Sequence, residues 1–247
     1  MTAVVHTPDT FEGSLTAGFT AVAATAAGPW DTRRRAARIA VRDRTAVVEL
    51  ATAVGSSKRG DNPLNSTTLG LGQLVKHALD VGCTEVVLGL GGGVSTDGGA
   101  GMLHALGAVL HSLRGRPLTL GINAIGNAAY LDLTGMDPRV ANTTFTVAAD
   151  VTNPLLGPHG AATAFGPQKG ASHAQVAILE RRLRRWSELV NAATGTDMTL
   201  TPGAGAAGGT GFAAMAVLGA SFRHAPQAAA VNPIALETSA SQRNPND

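Results

Sequence analysis

The sequence predicts an α/β fold, and three observations carry that expectation. Apolar strand-like runs, glycine-rich turns and helical segments succeed one another along the 247 residues. Glycines number 31, about 12.5% of the chain against a usual ~7%, and they gather where apolar runs end. Hydrophobic residues make up 44% and charged residues only 15%, a balance that builds a core and excludes a disordered chain. At ~100–200 residues per domain, the length suits one large domain or two small ones.

Taken in order, AVVHTPD (residues 3–9) reads as a short buried strand stopped by Pro8, with Asp9 or Thr10 as a cap for the next element. The alanine- and threonine-rich run 14–27 is expected to be a helix. Residues 33–52 hold two strand-like pieces around a polar turn at Arg42–Arg44; the first alternates through Ile39 and Val41, and the second is almost wholly apolar. A polar loop at 55–63 precedes a helix over 67–79 with Leu71, Leu74, Val75 and Leu79 inward. TEVVLGL (84–90) is the clearest buried strand; after it come three glycines, then Asp97 ahead of a short helix. The run TFTVAAD ends on Asp150 and enters a long loop. Residues 173–194 form a helix with Val176, Leu179, Leu183, Trp186 and Val190 on one stripe, laced by Glu180–Arg184 and Arg184–Glu188 pairs. A last glycine loop at 203–209 opens another helix, and 223–247 reads as a loose tail.

The glycine turns point to anion binding, because such turns expose backbone amides at helix starts, where the dipole favours negative charge. No G-x-x-x-x-G-K-[ST] word occurs, and G-x-G-x-x-G fails at Val94, so a P-loop and a dinucleotide fingerprint are excluded. Asp97 and Asp150 fall at or near carboxyl ends of buried strands, where open α/β sheets bind ligands. Asp97 reads equally as a helix cap, and Asp150 competes with a turn role before Thr152-Asn153-Pro154. Lys169, between Gly166 and Gly170, would neutralise a phosphate or simply meet solvent. The seven histidines show no ligand spacing, and Cys83 is expected in the core. Net charge is only +2, the cluster Arg181–Arg185 reads as the solvated flank of a helix, and neither it nor Arg33–Arg38 belongs to a recognisable binding module, so a nucleic-acid partner is not expected. The start lacks a basic leader, and the uncharged stretch 202–222 carries six glycines, which suits a loop and helix better than a membrane span. A cytoplasmic location is the resulting expectation.

These words resemble a known family. PDTFEGSLTA, GLGGGVSTDGGAGMLHALGA, DVTNPLLGPHGAATAFGPQKGA and PGAGAAGGTGFAA, with NPLNSTTLGLGQLV, run from Pro8 to about Phe222 in the order found in bacterial glycerate kinases of the two-domain type. The resemblance implies phosphoryl transfer from ATP to D-glycerate, with ATP and Mg²⁺ as cofactors and small molecules as the partners. It also implies a glycerate-kinase-like α/β fold in which the central inserted domain (31–222) is largely retained. The flavodoxin-like domain would be reduced to a fragment at 1–30, with the tail 223–247 at the other end. In that frame Gly91, Gly92, Gly93, Ser95, Gly203, Gly205 and Gly208 would cradle phosphates, and Asp9, Ser14 and Asn153 would bind substrate. Asp150 would hold Mg²⁺, Lys169 would offset transition-state charge, and Asp97 would orient or deprotonate the glycerate hydroxyl. The family's ADGGEGT and GEGxxDxQT words are not found. Glu12 stands where a lysine is usual, Gly93 replaces a serine, and Gly70-Leu71-Gly72-Gln73 replaces GTGE. These departures leave an alternative, a catalytically impaired paralogue that binds a ligand or partner, with any orphaned apolar surface covered by a homodimer.

Overall fold

The computed structural model describes residues 18–55, 62–118 and 122–224. The expected strand at 3–9 lies outside them. In chain order the elements are β1 (Thr20–Ala27), β2 (Arg34–Arg42), β3 (Thr45–Glu49), α1 (Leu50–Val54), α2 (Leu69–Asp80), β4 (Glu85–Gly89) and α3 (Ala100–Ala105). Next come β5 (Val109–His111), α4 (Ile122–Asn127), β6 (Tyr130–Asp132), β7 (Thr144–Ala149), α5 (Ala161–Phe165), α6 (His173–Thr194), α7 (Ala206–Leu218) and β8 (Ser221–His224).

One six-stranded sheet has the order β1-β2-β3-β4-β7-β8, and β5 and β6 form a separate antiparallel pair. The β1–β2–β3 part is antiparallel, whereas β3, β4, β7 and β8 run parallel. The turn expected at Arg42–Arg44 is present, with Asp43 in the left-handed region at φ 54°. The parallel strands β3, β4 and β7 are apolar because they are covered on both faces; Val48, Leu88 and Val147 are all completely buried.

The described part of the run 14–27 does not form the expected helix: Thr20–Ala27 is the edge strand β1. It pairs along its whole length with β2, from Thr20↔Val41 to Ala27↔Arg34. Val22, Ala24 and Ala26 turn to the core while Ala21, Ala23 and Thr25 are exposed, a period of two that outweighs alanine's helix propensity. The expected domain boundary at residue 30 therefore falls in the β1–β2 connection of one sheet. At the other end, Arg223 and His224 are not tail but strand, paired with Ala148 and Ala149 of β7.

Helix α6 runs over the expected residues, 173–194. Ser172 and Gln175 close a capping box at its start, and Gly195 at φ 70° ends it. Leu179, Leu183, Trp186 and Val190 are buried against the core, with Val176 packed at its margin. Glu180 lies 3.5 Å from Arg184, but Glu188 pairs with Arg185 at 3.0 Å rather than with Arg184. Cys83 is buried, as expected, and burial pushes its thiol pKa up.

Candidate functional site

The parallel strands end in one row, with Glu49, Gly89 and Ala148 in register. Ligands in open α/β sheets bind beyond such carboxyl ends. The chain leaves β4 at Leu90, whose amide donates to Ala148 O at 2.9 Å, and passes through Gly91 and Gly92, of which Gly91 and its neighbour are both exposed. Gly92 sits at φ 64°, a conformation suited to glycine. At Gly93 a Cβ would run into the Leu50 side chain, so glycine here lets Leu50 fill the space. Val94 then ties back to Val54 O at 3.0 Å, and the turn from Ser95 to Gly99 is buried.

Asp97 organises that turn and has no exposed surface. Its Oδ2 accepts from the amides of Thr68 (2.8 Å) and Gly101 (3.1 Å), and its Oδ1 from the Gly99 amide (3.1 Å). The Thr68 hydroxyl donates to the same carboxylate at 3.0 Å and accepts from Met102 N–H, also at 3.0 Å. Burial pushes the Asp97 pKa up, and these hydrogen bonds oppose the shift. Thr68, which is buried, escapes a reading of the sequence because its role depends on a carboxylate 29 residues away. Trp186 Nε1–H clamps the turn from the far side, donating to Gly98 O at 2.8 Å.

Lys169 reaches into the same place. Its Nζ donates to Ser95 O at 2.6 Å. Burial lowers its pKa from the usual 10.5 to about 8, with the charge of Asp97 pulling the other way. Over it lies the loop opening α7, where Ala207, Gly208 and Gly209 have φ of 51°, 68° and 90° in succession. Gly98 N–H donates to Gly208 O at 3.0 Å. A Cβ on Gly208 would press on Ser95 O and come 3.0 Å from Lys169 Nζ, so the close approach requires glycine. The Ser95 hydroxyl is buried and without a hydrogen-bond partner among the described residues.

Of the residues singled out by the sequence, Ser95, Asp97, Lys169 and Gly208 thus form one cluster. Gly203 and Gly205 belong to the adjoining loop. Gly205 N–H donates to Asn153 O at 2.8 Å, and Asn153 Nδ2 donates to His159 O at 2.8 Å, which fixes the loop after β7. A side chain on Gly203 would strike the Phe222 ring. Asp150 stands exposed just past β7, and no hydrogen bond or ion pair joins it to the Lys169 cluster among the described residues. Asp9 and Ser14 lie outside the described residues. Glu49, buried at the end of β3, is an acid in this row that pattern reading passes over; its signal is a lone charge in the apolar run TAVVELATAV.

Among the described residues, no group of three or more histidine, cysteine or acidic side chains could hold a metal ion by itself, and no helix is long and apolar enough to cross a membrane. The sequence pattern of the glycerate kinase family matches residues 9–240. The chain is 43% identical over 185 residues to glycerate 2-kinase of Escherichia coli K12, covering 73% of this chain and 48% of that one. It is 41% identical over 185 residues to the glycerate kinase of Bacillus subtilis 168, with the same shares covered. The chain thus spans about half the length of the curated relatives it matches. The crystal structure of a protein described as glycerate kinase 2 from Salmonella typhimurium LT2 superposes with a TM-score of 0.84 at 35% identity, over 92% of this chain and 61% of that one. A shared fold, shared words in shared order and a family match over most of its length lead to one conclusion: this chain belongs to the glycerate kinase family.

Proposed function

We propose that the chain transfers the terminal phosphoryl group of ATP to D-glycerate. The observation that carries this reading is the half-buried Lys169 ammonium, held 2.6 Å from Ser95 O beneath a left-handed glycine loop, in a chain of this family. Phosphoryl transfer asks a protein mainly for positioning and for charge opposite the phosphate oxygens. Lys169 supplies that charge in a site drier than water. The exposed Gly91–Gly92 turn would let a phosphate approach the backbone, the buried glycines 203–208 would shape the site by letting Phe222 and Ser95 O pack closely, and the free Ser95 hydroxyl offers one more donor. Asp97, with both oxygens committed, holds the Ser95–Gly101 turn and faces Lys169 with its charge.

Asp150 would hold Mg²⁺. One exposed carboxylate beyond a strand end fits that ion, which commonly takes one or two protein carboxylates and completes its shell with substrate phosphates and water. When bound, Mg²⁺ neutralises phosphate charge. The chain's own groups orient the donor and acceptor and screen them from bulk solvent. A cytoplasmic setting is part of the same proposal, supported by the dependence on ATP and by a lone, buried thiol.

The test is ADP release by the purified chain with Mg-ATP, with and without D-glycerate, beside Asp150→Asn. Glycerate-dependent release that falls about 100-fold or more in the variant is expected, the scale on which loss of one transition-state contact is felt. Equal rates in the two proteins would remove Asp150 from the site.

A further inference from the structure

A cleft of about 760 Å³ opens between the β1–β2 hairpin and helices α2 and α3. Arg34 of β2, Lys76 and His77 of α2 and His104 of α3 line it. The charges in its wall do not cancel. Asp80, the acid of the wall, is bound to Arg139 at 2.8 Å and lies 3.6 Å from Lys76. Lys76 is further held 3.5 Å from Asp137. Arg34 makes no ion pair among the described residues. Its Nη2 donates to Thr25 O at 3.2 Å, which engages one part of a five-donor guanidinium.

His77 contributes a second, independent signal. Its Nε2 is buried, yet it has no hydrogen-bond partner among the described residues. Buried polar atoms nearly always have one, and those that lack it mark a place where a ligand or water completes the set. The cleft begins near the Lys169 cluster, with Leu69 in its wall next to Thr68, but its basic groups lie farther along α2. Thr68, which binds Asp97, precedes α2, whereas His77 lies in its last turn, about 13 Å along the axis at 1.5 Å per residue.

We propose that this cleft is a second binding site, for a small oxyanion held between the Arg34 guanidinium and the His77 imidazole, with His104 at its rim. A phosphate or carboxylate is acceptor-only and matches the planar donor fork of arginine. In the tautomer with its proton on Nε2, a rotation of the His77 ring toward the cleft would give that buried atom the oxygen it lacks. A cation would instead meet Arg34 and Lys76. Occupancy of this site requires no turnover at the other.

The experiment is ¹H–¹⁵N NMR of the histidine rings while inorganic phosphate, and in a separate arm malonate, is added at constant ionic strength. The wild-type chain is compared with Arg34→Gln and with Lys169→Met. A saturable shift of the His77 ring signals in the millimolar range is expected, at least about tenfold weaker in Arg34→Gln and unchanged in Lys169→Met. A response to phosphate alone assigns the site to phosphoryl groups, a response to malonate alone assigns it to carboxylates, and a response to both assigns it to oxyanions at large. The Trp186 indole N–H signal, which reports its bond to Gly98, verifies that each variant is folded. His77 signals that stay fixed through both titrations would overturn the proposal. So would an equal shift in Arg34→Gln, which would show that the ring senses no anion gripped by Arg34.

Discussion

Lys169 is the residue on which the proposed phosphoryl transfer turns, because that reaction would use its charge and the fold holds the charge at a cost. With a pKa of about 8 it is mostly cationic at neutral pH, and it loses that charge as the pH rises through 8. Glycerate-dependent turnover is therefore expected to fall along an alkaline limb centred near 8, read from ADP release across about pH 6 to 10. The stability consequence has a definite sign. The folded-state pKa lies below the unfolded value of 10.5, so between the two the unfolded chain binds more protons. The cost of holding the half-buried ammonium is present below pH 8 and is relieved as pH climbs from 8 toward 10.5. The melting temperature of the wild type should rise relative to Lys169→Met over that interval; a constant difference would mean that Lys169 titrates normally. Asp97→Asn removes the charge that raises the Lys169 pKa, so the alkaline limb should move to lower pH. The same change puts an amide NH2 where one carboxylate oxygen stood and leaves either the Gly99 amide or those of Thr68 and Gly101 short of an acceptor, at a cost of about 2 kcal/mol in chemical denaturation. A stability loss with an unmoved limb would reduce Asp97 to a purely structural part.

Among the elements, the glycine loop opening α7 and the long helix α6 support the cluster from two sides. Gly208→Ala combines a left-handed φ with a collision against Ser95 O and Thr96 Cα. Its expected cost is about 2–5 kcal/mol, with turnover lost. Gly219→Ala is the matched control, since Gly219 shares a similar φ of 66° but has open space around it; about 1 kcal/mol is expected, with activity kept. Equal losses in urea unfolding would show that strain alone, and not the close approach to Ser95, makes Gly208 necessary. Ser172→Ala breaks the capping box of α6 and should cost about 1 kcal/mol, without changing the pH profile. These elements differ in how far the sequence reveals them. Helix α6 is legible from its apolar stripe, its cap and its terminal glycine, all of them local signals. Strand β1 reads as a helix because its alanines favour one, while the deciding facts are an alternation of exposure and a partner strand 7 to 21 residues away. The Gln73 departure from the family word also makes sense only in three dimensions. Its Oε1 accepts from Ala27 N–H at 2.8 Å, a task an amide oxygen performs as a carboxylate would.

Across the molecule, the α/β class is readable from the recurrence of strand, turn and helix, whereas the strand order is not. Nothing local in the sequence states that β7 crosses to lie beside β4, or that β8 pairs with β7 and draws Arg223 and His224 into the sheet. The candidate site shows the same division. Its glycines, Asp97, Asp150 and Lys169 stand out by type and by neighbouring words, and Ser95, Lys169 and Gly208 do converge. Thr68 and Trp186 contribute through contacts 29 and 88 residues apart in sequence, beyond any motif. Phosphoryl transfer by this converged cluster stands or falls most directly on ADP release from Mg-ATP in the presence and absence of D-glycerate, for the wild-type chain and for folded Lys169→Met at pH 7. Glycerate-dependent release by the wild type and its loss in Lys169→Met is the expected result. Folded wild-type protein with no glycerate-dependent release, or a Lys169→Met variant as active as the wild type, would contradict it.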